Sequence, residues 1–554
     1  MRLPGWRLRR ELPPGPPPWS RLQEAWGLGP ASARLAWLRG LDEPGELGWR
    51  LDASWDRLGD PLALHGVGEA ADQIRKAVSA GRPVWVYGDY DVDGVTATAL
   101  LVRCLERLGA RCGFFIPNRF SDGYGLNLDC IRELATQVPG ALVVSVDCGV
   151  RSVEEVAASA DLGLDWIITD HHTVGERLPR SLAVVHPALG ESPDPHLSGV
   201  GVAFRLAQAL LEGPGRSQDR SFLEGLLKLV AIGTLADMVP LVGRNAWLVR
   251  QGLQAMGGKN GPGLAALLRA ARVVGAPRSA DVAFGLAPRL NAVGRMGGAE
   301  DAVRLLLTRD PGEAARLMEF VERLNQQRKL EQKGLSSQLP PLDGKPFDLA
   351  VEPSAHKGVI GIIAGRRMRE SGRPAGVCTV DSGVVQCSLR APEGYDLVEL
   401  LHLAGPFLRT GGGHRGAAGI TFDPSKLAFV RQSLERGAEG QARSLPPPAA
   451  GVDGHGASCV PDPEELGRLE PFGQGFPVPA VVLEGRLEAP PRTFAGEHLR
   501  IPLGGVPEPV NWYFGKGREA FLRTGETLAL VASPQDHPTW GRSWVLETFL
   551  GEAT

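Results

Sequence analysis

Three short β-branched runs in this chain each end on an acid, and that placement constrains the fold more than any other feature. Val84-Trp-Val-Tyr87 runs into Gly88-Asp-Tyr-Asp-Val-Asp-Gly94, Val143-Val-Ser-Val146 into Asp147-Cys-Gly149, and Trp166-Ile-Ile-Thr169 into Asp170-His171-His172. Between them lie stretches with helical spacing, such as 96–108 and 153–160. Strand and helix alternating in this way predict a parallel sheet with helices on its faces. The carboxyl ends of parallel strands share one edge, where open α/β folds bind ligands. Asp89, Asp91, Asp93, Asp147, Asp170 and two imidazoles are therefore expected along one crevice, where like charges repel unless cations lie between them. Asp237 joins them, placed where the apolar run 226–236 is expected to end as a buried helix.

One Asp after a strand is ordinarily a turn residue or a helix cap, and neighbouring histidines are ordinarily surface residues. Three strand ends that each carry an acid, one with two histidines, exceed what turn chemistry requires. A mixed carboxylate and imidazole set suits Mn²⁺ or another first-row divalent ion better than Ca²⁺. Two such ions about 3.5–4 Å apart, bridged by one carboxylate, are the standard arrangement for in-line displacement at phosphorus. No Ser/His/Asp or Cys/His nucleophile stands out. There is no Walker A, and Gly199–Gly201 and Gly411–Gly413 lack the context of a dinucleotide fingerprint.

At 554 residues the chain exceeds one core, and roughly three or four domains are expected. With 43% hydrophobic and 22% charged residues, global disorder is excluded. A net charge of −3 means that any nucleic-acid surface must be local, although 51 of the 60 basic residues are arginine. The seven cysteines form no CxxC pair and no zinc spacing, so neither a disulfide scaffold nor a zinc site is expected. The N-terminal stretch lacks an apolar signal-peptide core and no run reads as a membrane span, so the expectation is a soluble, cytoplasmic protein.

The expected organisation is an α/β protein of several parts. Residues 1–50 read as an irregular arm with one short helix, 51–298 as the parallel-sheet catalytic domain, and 299–340 as a long connecting helix. A second α/β domain spans 341–436, a Pro- and Gly-rich linker 437–470, and an antiparallel barrel or sandwich 471–554.

The ordered motifs GDYDVDG (88–94), Val146-Asp147-Cys-Gly149, Asp170-His171-His172 and Ala236-Asp237 resemble those of the DHH phosphoesterase superfamily. With Pro288-Arg-Leu-Asn-Ala-Val-Gly-Arg295, His356–Gly365 and Gly411–Gly419, the set is similar to the bacterial RecJ single-strand exonucleases within it. The resemblance runs from about residue 60 to about 540. It implies a DHH catalytic domain, a DHHA1-like second domain and an OB-fold-like barrel at the C-terminus. It also implies 5′→3′ degradation of single-stranded DNA to mononucleotides, in DNA repair and recombination, with two divalent ions, Mn²⁺ ahead of Mg²⁺. Carried over by position, Asp91, Asp93, Asp147, His171 and Asp237 ligate metal, Asp147 bridges, and His172 faces the phosphate. Asp89 is either a ligand or a loop-holding partner. Two positions depart from the pattern: Tyr87 stands where related phosphatases place a metal-binding His, and Ala355 where a Trp is often seen.

Substrate contacts are expected from Arg289, Asn291 and Arg295, whose alternative reading is a capped turn with solvated arginines. Gly412, Gly413, His414 and Arg415 read as a flexible loop able to approach an anion. The resemblance makes Arg119, Ser388 and Arg390 candidates for gripping a 5′-phosphate. In the last segment Arg486, Arg492, His498, Arg500 and Lys516 are candidates to line a strand-binding face, and Trp512, Tyr513 and Phe514 cannot all stack on bases, because strand residues alternate faces. Implied partners are single-stranded DNA, a single-strand-binding protein and a helicase, with the protein a monomer and no membrane involved. Competing readings are a phosphodiesterase for short oligonucleotides or cyclic dinucleotides, and a non-catalytic single-strand-binding scaffold.

Overall fold

The acid-bearing runs form a five-stranded, all-parallel sheet. Its strands are β1 (Val84–Tyr87), β2 (Cys112–Phe115), β3 (Leu142–Val146), β4 (Asp165–Thr169) and β5 (Ala183–Val185), in the order β2-β1-β3-β4-β5. Both faces are covered, which is why the strands read as continuous apolar runs. Val84, Val86, Leu142, Val144, Val146 and Ile167 enter one core, while Tyr87, Val143, Trp166 and Ile168 enter the other. Helices α1 (Val92–Arg107), α2 (Gly199–Leu211) and α3 (Arg220–Asp237) pack together in the larger core, followed by α4 (Ala287–Met296).

The computed structural model describes all residues except 1, 4–5, 120–122, 124, 213–218, 446–449, 514, 518, 538–540 and 551–554. The chain divides into two units. The acid-bearing unit is Arg10–Asn325 with Val460–Pro479, and the second is Met1–Arg9, Gln326–Cys459 and Ala480–Thr554. The span 299–340, expected as one long connecting helix, is two helices, Glu300–Leu307 and α5 (Pro311–Gln338, 28 residues), with the break before Pro311.

Among the described residues the second unit holds three sheets, one of them only the two-stranded pairing of Trp6–Leu8 with Ala450–Val452. In the first, β6 (Asp348–Val351), β7 (Ala375–Asp381), β8 (Val384–Arg390), β9 (Thr410–His414) and β10 (Ala417–Phe422) lie in the order β9-β10-β8-β7-β6, and only β6 and β7 run parallel. The C-terminal sheet is eight-stranded, mostly antiparallel and centred on the long hairpin Thr527–His537 and Gly541–Leu550. Arg2–Leu3 adds a parallel edge to it.

Four further local readings change. The first fifty residues carry three helices, Ser20–Trp26, Pro30–Leu38 and Pro44–Leu51, two of them with Pro in the first turn, where its missing N–H costs nothing. The supposed linker is largely structured. A helix runs Leu427–Ser444, residues 446–449 lie outside the described residues, and 460–479 belong to the acid-bearing unit. There the buried Arg50 donates to the carbonyls of Leu469 (3.0 Å), Pro471 (2.7 Å) and Leu241, three acceptors that offset the cost of burying a guanidinium. Gly411–Gly413 form strand β9 rather than a loop. Cys378 and Cys387, directly opposite on β7 and β8, are disulfide-bonded, a single cross-strand link rather than a scaffold. No helix among the described residues is long and apolar enough to cross a membrane.

Candidate metal centre

Each acid reaches the sheet edge by a different local device. Asp91 caps α1, its Oδ1 accepting from the backbone N–H of Asp93 (2.8 Å) and Gly94 (3.1 Å), so the ordinary reading of an Asp after a strand and the functional one hold together. Asp93 lies in the first turn of α1, and its carboxylate accepts from the N–H of Gly199 (2.6 Å) and Val200 (2.9 Å) at the start of α2. A helix N-terminus thus holds a carboxylate that the sequence separates from it by 106 residues. Asp147 follows β3 at φ +62°, a conformation L-residues adopt at a cost, which aims its side chain at the rim. A Cβ on Gly199 would strike the Asp147 carboxylate, so only glycine fits there. Asp237 is the last residue of α3, as its sequence context predicted.

These side chains converge. His171 Nε2 lies 3.1 Å from Asp147 Oδ1, 3.6 Å from Asp237 Oδ2 and 3.9 Å from Asp93 Oδ2. Three overlapping sets have ligand atoms mutually within 4.8 Å: Asp147, His171 and His172; Asp93, His171 and Asp237; Asp89, Asp91 and Asp147. Asp147 is common to two sets, as a bridging ligand would be.

The electrostatics fit cations. Burial first, then the neighbouring acids, push Asp89, Asp93 and Asp147 well above the usual carboxylate range and Asp237 up to about 6. Burial, then His172, lowers His171 to about 4, so its imidazole is neutral and has a lone pair to give. Asp89 Oδ1, Asp147 Oδ1 and His171 Nε2 are buried with no hydrogen-bond partner. Such orphaned atoms cost free energy unless something occupies the space beside them, and divalent ions held along the rim would satisfy them.

Asp170 departs from its strand-end neighbours. Its Oδ1 accepts from the N–H of His171 (2.7 Å), the N–H of His172 (3.1 Å) and His172 Nδ1 (2.8 Å), and its Oδ2 from the N–H of Val150 (2.9 Å). Burial works against its charge, but the hydrogen bond and charge of His172 prevail and lower it to about 2. The same bond overcomes burial at His172 and raises it to about 9. Asp170 is therefore the hub that sets both histidines. His186, buried, donates from Nε2 to the His172 carbonyl (2.8 Å) and accepts at Nδ1 from the N–H of Ala188 (3.0 Å), which fixes its tautomer. That support is invisible in the sequence, since it joins residues from separate loops. Tyr87 explains its own departure from the resemblance: its ring turns away from the rim into the far core, against Phe115 (5.5 Å) and Trp166 (5.9 Å).

The expected substrate residues divide. Arg119 lies over the Tyr90 ring (5.1 Å), between Asp89 and Asp91 in sequence. Arg289, Asn291 and Arg295 sit on helix α4 rather than on a turn. Arg289 donates to Glu322 (2.8 Å) and to the carbonyls of Gly285 (2.8 Å) and Ala270 (2.9 Å), which anchors its guanidinium within its own unit. In the second unit, strand register gathers the remainder. Ser388 pairs with Gly419 and Gly419 with Gly412, while Arg390 pairs with Ala417 and Ala417 with His414. Ser388, Arg390, Gly412 and His414 thus share one sheet face, and Arg390 Nη1 donates to Ser388 Oγ (3.0 Å). Gly413 falls on the opposite face, and Arg415, in the hairpin turn, pairs with Asp396 (2.9 Å). In the C-terminal sheet His498, Tyr513 and Phe494 cluster, with ring centroids 5.0–6.2 Å apart, and Phe514 lies outside the described residues.

Comparison with known proteins matches residues 83–234 to the N-terminal domain of the DHH family and residues 344–439 to the DHHA1 domain. The single-stranded-DNA-specific exonuclease RecJ of Thermus thermophilus is 36% identical over 501 residues, 88% of this chain and 71% of that protein. The crystal structure of Thermus RecJ in complex with Mn²⁺ superposes with a TM-score of 0.79 at 31% identity, covering 98% of this chain and 78% of that one. The Mg²⁺ complex gives 0.76 at 29% identity, covering 99% and 79%.

Proposed function

This chain belongs to the RecJ family of the DHH phosphoesterases, and on that premise we propose that it is a metal-dependent exonuclease that degrades single-stranded DNA from the 5′ end to 5′-mononucleotides. The observation that carries the reading is the buried rim of acids and His171 with its three unpartnered atoms. Asp93, His171 and Asp237 would hold one divalent ion, and Asp89 and Asp91 with the shared Asp147 a second, with Mn²⁺ favoured by the donor set. Bound there, such ions would supply water activation near neutral pH and charge neutralisation at phosphorus.

The chain's own residues do the rest. The α2 amides fix the Asp93 carboxylate, and Asp170 fixes the His171–His172 turn. His172 is a cation at neutral pH and its side chain is 40% exposed against 10% for His171, so it is the histidine available to a substrate phosphate. Ser388 and Arg390 would grip the 5′-phosphate, and Arg119, on the acid-bearing unit, is by itself a candidate for a phosphate contact. Gly412 leaves room beside Ser388 and Arg390, and His414 adds a donor. A terminal phosphate pocket of this kind gives 5′ polarity by geometry. The family reading also extends to work in the cytoplasm as a monomer, alongside a single-strand-binding protein and a helicase.

The test is product analysis on a 3′-labelled, 5′-phosphorylated single strand. The expected result is release of mononucleotides from the 5′ end with Mn²⁺ and none with chelator, while the duplex form stays intact. Predominant cleavage of a dinucleotide with the long strand spared would contradict the reading and favour a short-oligonucleotide phosphodiesterase.

A further inference from the structure

The segment that leads into α4 carries an aromatic residue that no step above uses. Residues Val282–Leu286 form a π-helical turn continuous with α4, and Phe284 on that turn is 83% exposed, the most exposed aromatic side chain among the described residues. π-turns inside helices concentrate at functional positions, because the inserted residue re-aims its neighbours. A lone exposed Phe on a surface needs no explanation in itself. This one continues a stripe. Phe284, Pro288, Asn291 and Arg295 recur at spacings of four, three and four and are not buried, whereas Leu286, Ala287, Leu290, Ala292 and Val293 between them are buried.

The inner end of the stripe is tied to the metal-binding loop. Gly294 packs against the Tyr90 carbonyl so closely that a Cβ there would collide with it. Ten residues of helix separate Phe284 from Gly294, about 15 Å at 1.5 Å per residue. That distance corresponds to a few nucleotides of strand beyond the rim. The turn beside Phe284, where Ala271 lies against Gly285, exposes Arg272, a cation of the kind that accompanies a stacked base.

We propose that Phe284 is a base-stacking post for the single strand, set at the outer end of a helical stripe whose inner end lies beside the metal-binding loop. The proposal rests on the nuclease reading and adds a substrate contact to it. A flat, exposed ring stacks on any base, so the post holds a strand without reading its sequence.

The experiment compares Phe284→Ala and Phe284→Trp with the wild-type enzyme in Mn²⁺, on a long single strand and on a 5′-phosphorylated dinucleotide. Phe284→Ala is expected to raise KM for the long strand about tenfold, with a far smaller change on the dinucleotide, which is too short to reach the ring. Phe284→Trp is expected to restore the wild-type KM. A strand carrying 2-aminopurine at successive positions should show quenching at one position near the 5′ end in the wild type, and none there in Phe284→Ala. An unchanged KM and quenching pattern in Phe284→Ala would overturn the proposal and leave Phe284 as part of a protein-docking face, while equal slowing on both substrates would make it structural. Failure of the wild type itself to degrade the long strand would instead sink the nuclease reading, and the post with it.

Discussion

The acid rim and the Ser388–His414 sheet face, each proposed to meet the nucleic acid, are built in opposite ways. The rim is buried: Asp89, Asp93 and Asp147 are each no more than 3% exposed, their positions set by helix N-termini, a left-handed residue and a glycine that leaves no spare space. The sheet face is open, with Thr410–His414 exposed along its whole length and glycine where side chains would otherwise fill it. Low dielectric makes the rim's like charges expensive unless cations neutralise them, so it suits ions of fixed geometry. An exposed face of hydroxyl, guanidinium and imidazole donors suits a phosphate that must arrive and leave. Chemistry and end recognition are thus separable in the sequence, and substitutions should separate them in the laboratory.

The largest expected effect sharpens that contrast. Asp147→Ala should lower the rate by at least about 1,000-fold on every single strand, whatever its 5′ end, because it removes the carboxylate common to two ligand sets. Arg390→Ala should cost about 10–100-fold on 5′-phosphorylated strands, the value of one charge-assisted contact, and little on 5′-hydroxyl strands. Steady-state rates on the two substrates check both. Equal losses on both ends for Arg390→Ala would break the comparison.

A smaller effect concerns the rim alone. Asp237 is raised to about 6 in the folded protein from an ordinary 3.8. Between those values the unfolded chain has already lost the proton that the folded one keeps, so this group's contribution to the stability of the metal-free protein falls as pH rises through that window, while His171, lowered to about 4, contributes with the opposite sign. The loss is on the order of 2 kcal/mol from this group, and Asp93 and Asp147 act in the same direction. Mn²⁺ should reverse it and release protons on binding. Denaturant titrations at pH 4 to 7 in chelator, comparing the wild type with Asp237→Asn, isolate this group, and a stability difference between the two that stays constant with pH would contradict the coupling of acids at the rim.

The rim was legible because its signal is local. A β-branched run followed at once by Asp can be read off consecutive residues, and Asp237 needed only the end of an apolar helix. What supports the rim was not legible. The α2 amides that hold Asp93 lie 106 residues away, and the spacing of Gly199–Gly201 says nothing of a carboxylate to be held there. Asp170 sits in the same strand-end pattern as the ligands, and only its four hydrogen bonds show it to be their support. Glycine misled at β9, since three consecutive glycines carry no strand signal and pair only because Ala417–Phe422 lies alongside. The tie from Arg289 to Glu322, 33 residues on, was equally out of reach, because nothing local to the motif announces it.

The most direct test of the central claim is anomalous scattering from crystals of this protein soaked in Mn²⁺. Two peaks should appear within ligand distance of the rim, one among Asp93, His171 and Asp237, the other among Asp89, Asp91 and Asp147, with Asp147 touching both. Peaks elsewhere, or none beside Asp147 and His171 at saturating Mn²⁺, would contradict it.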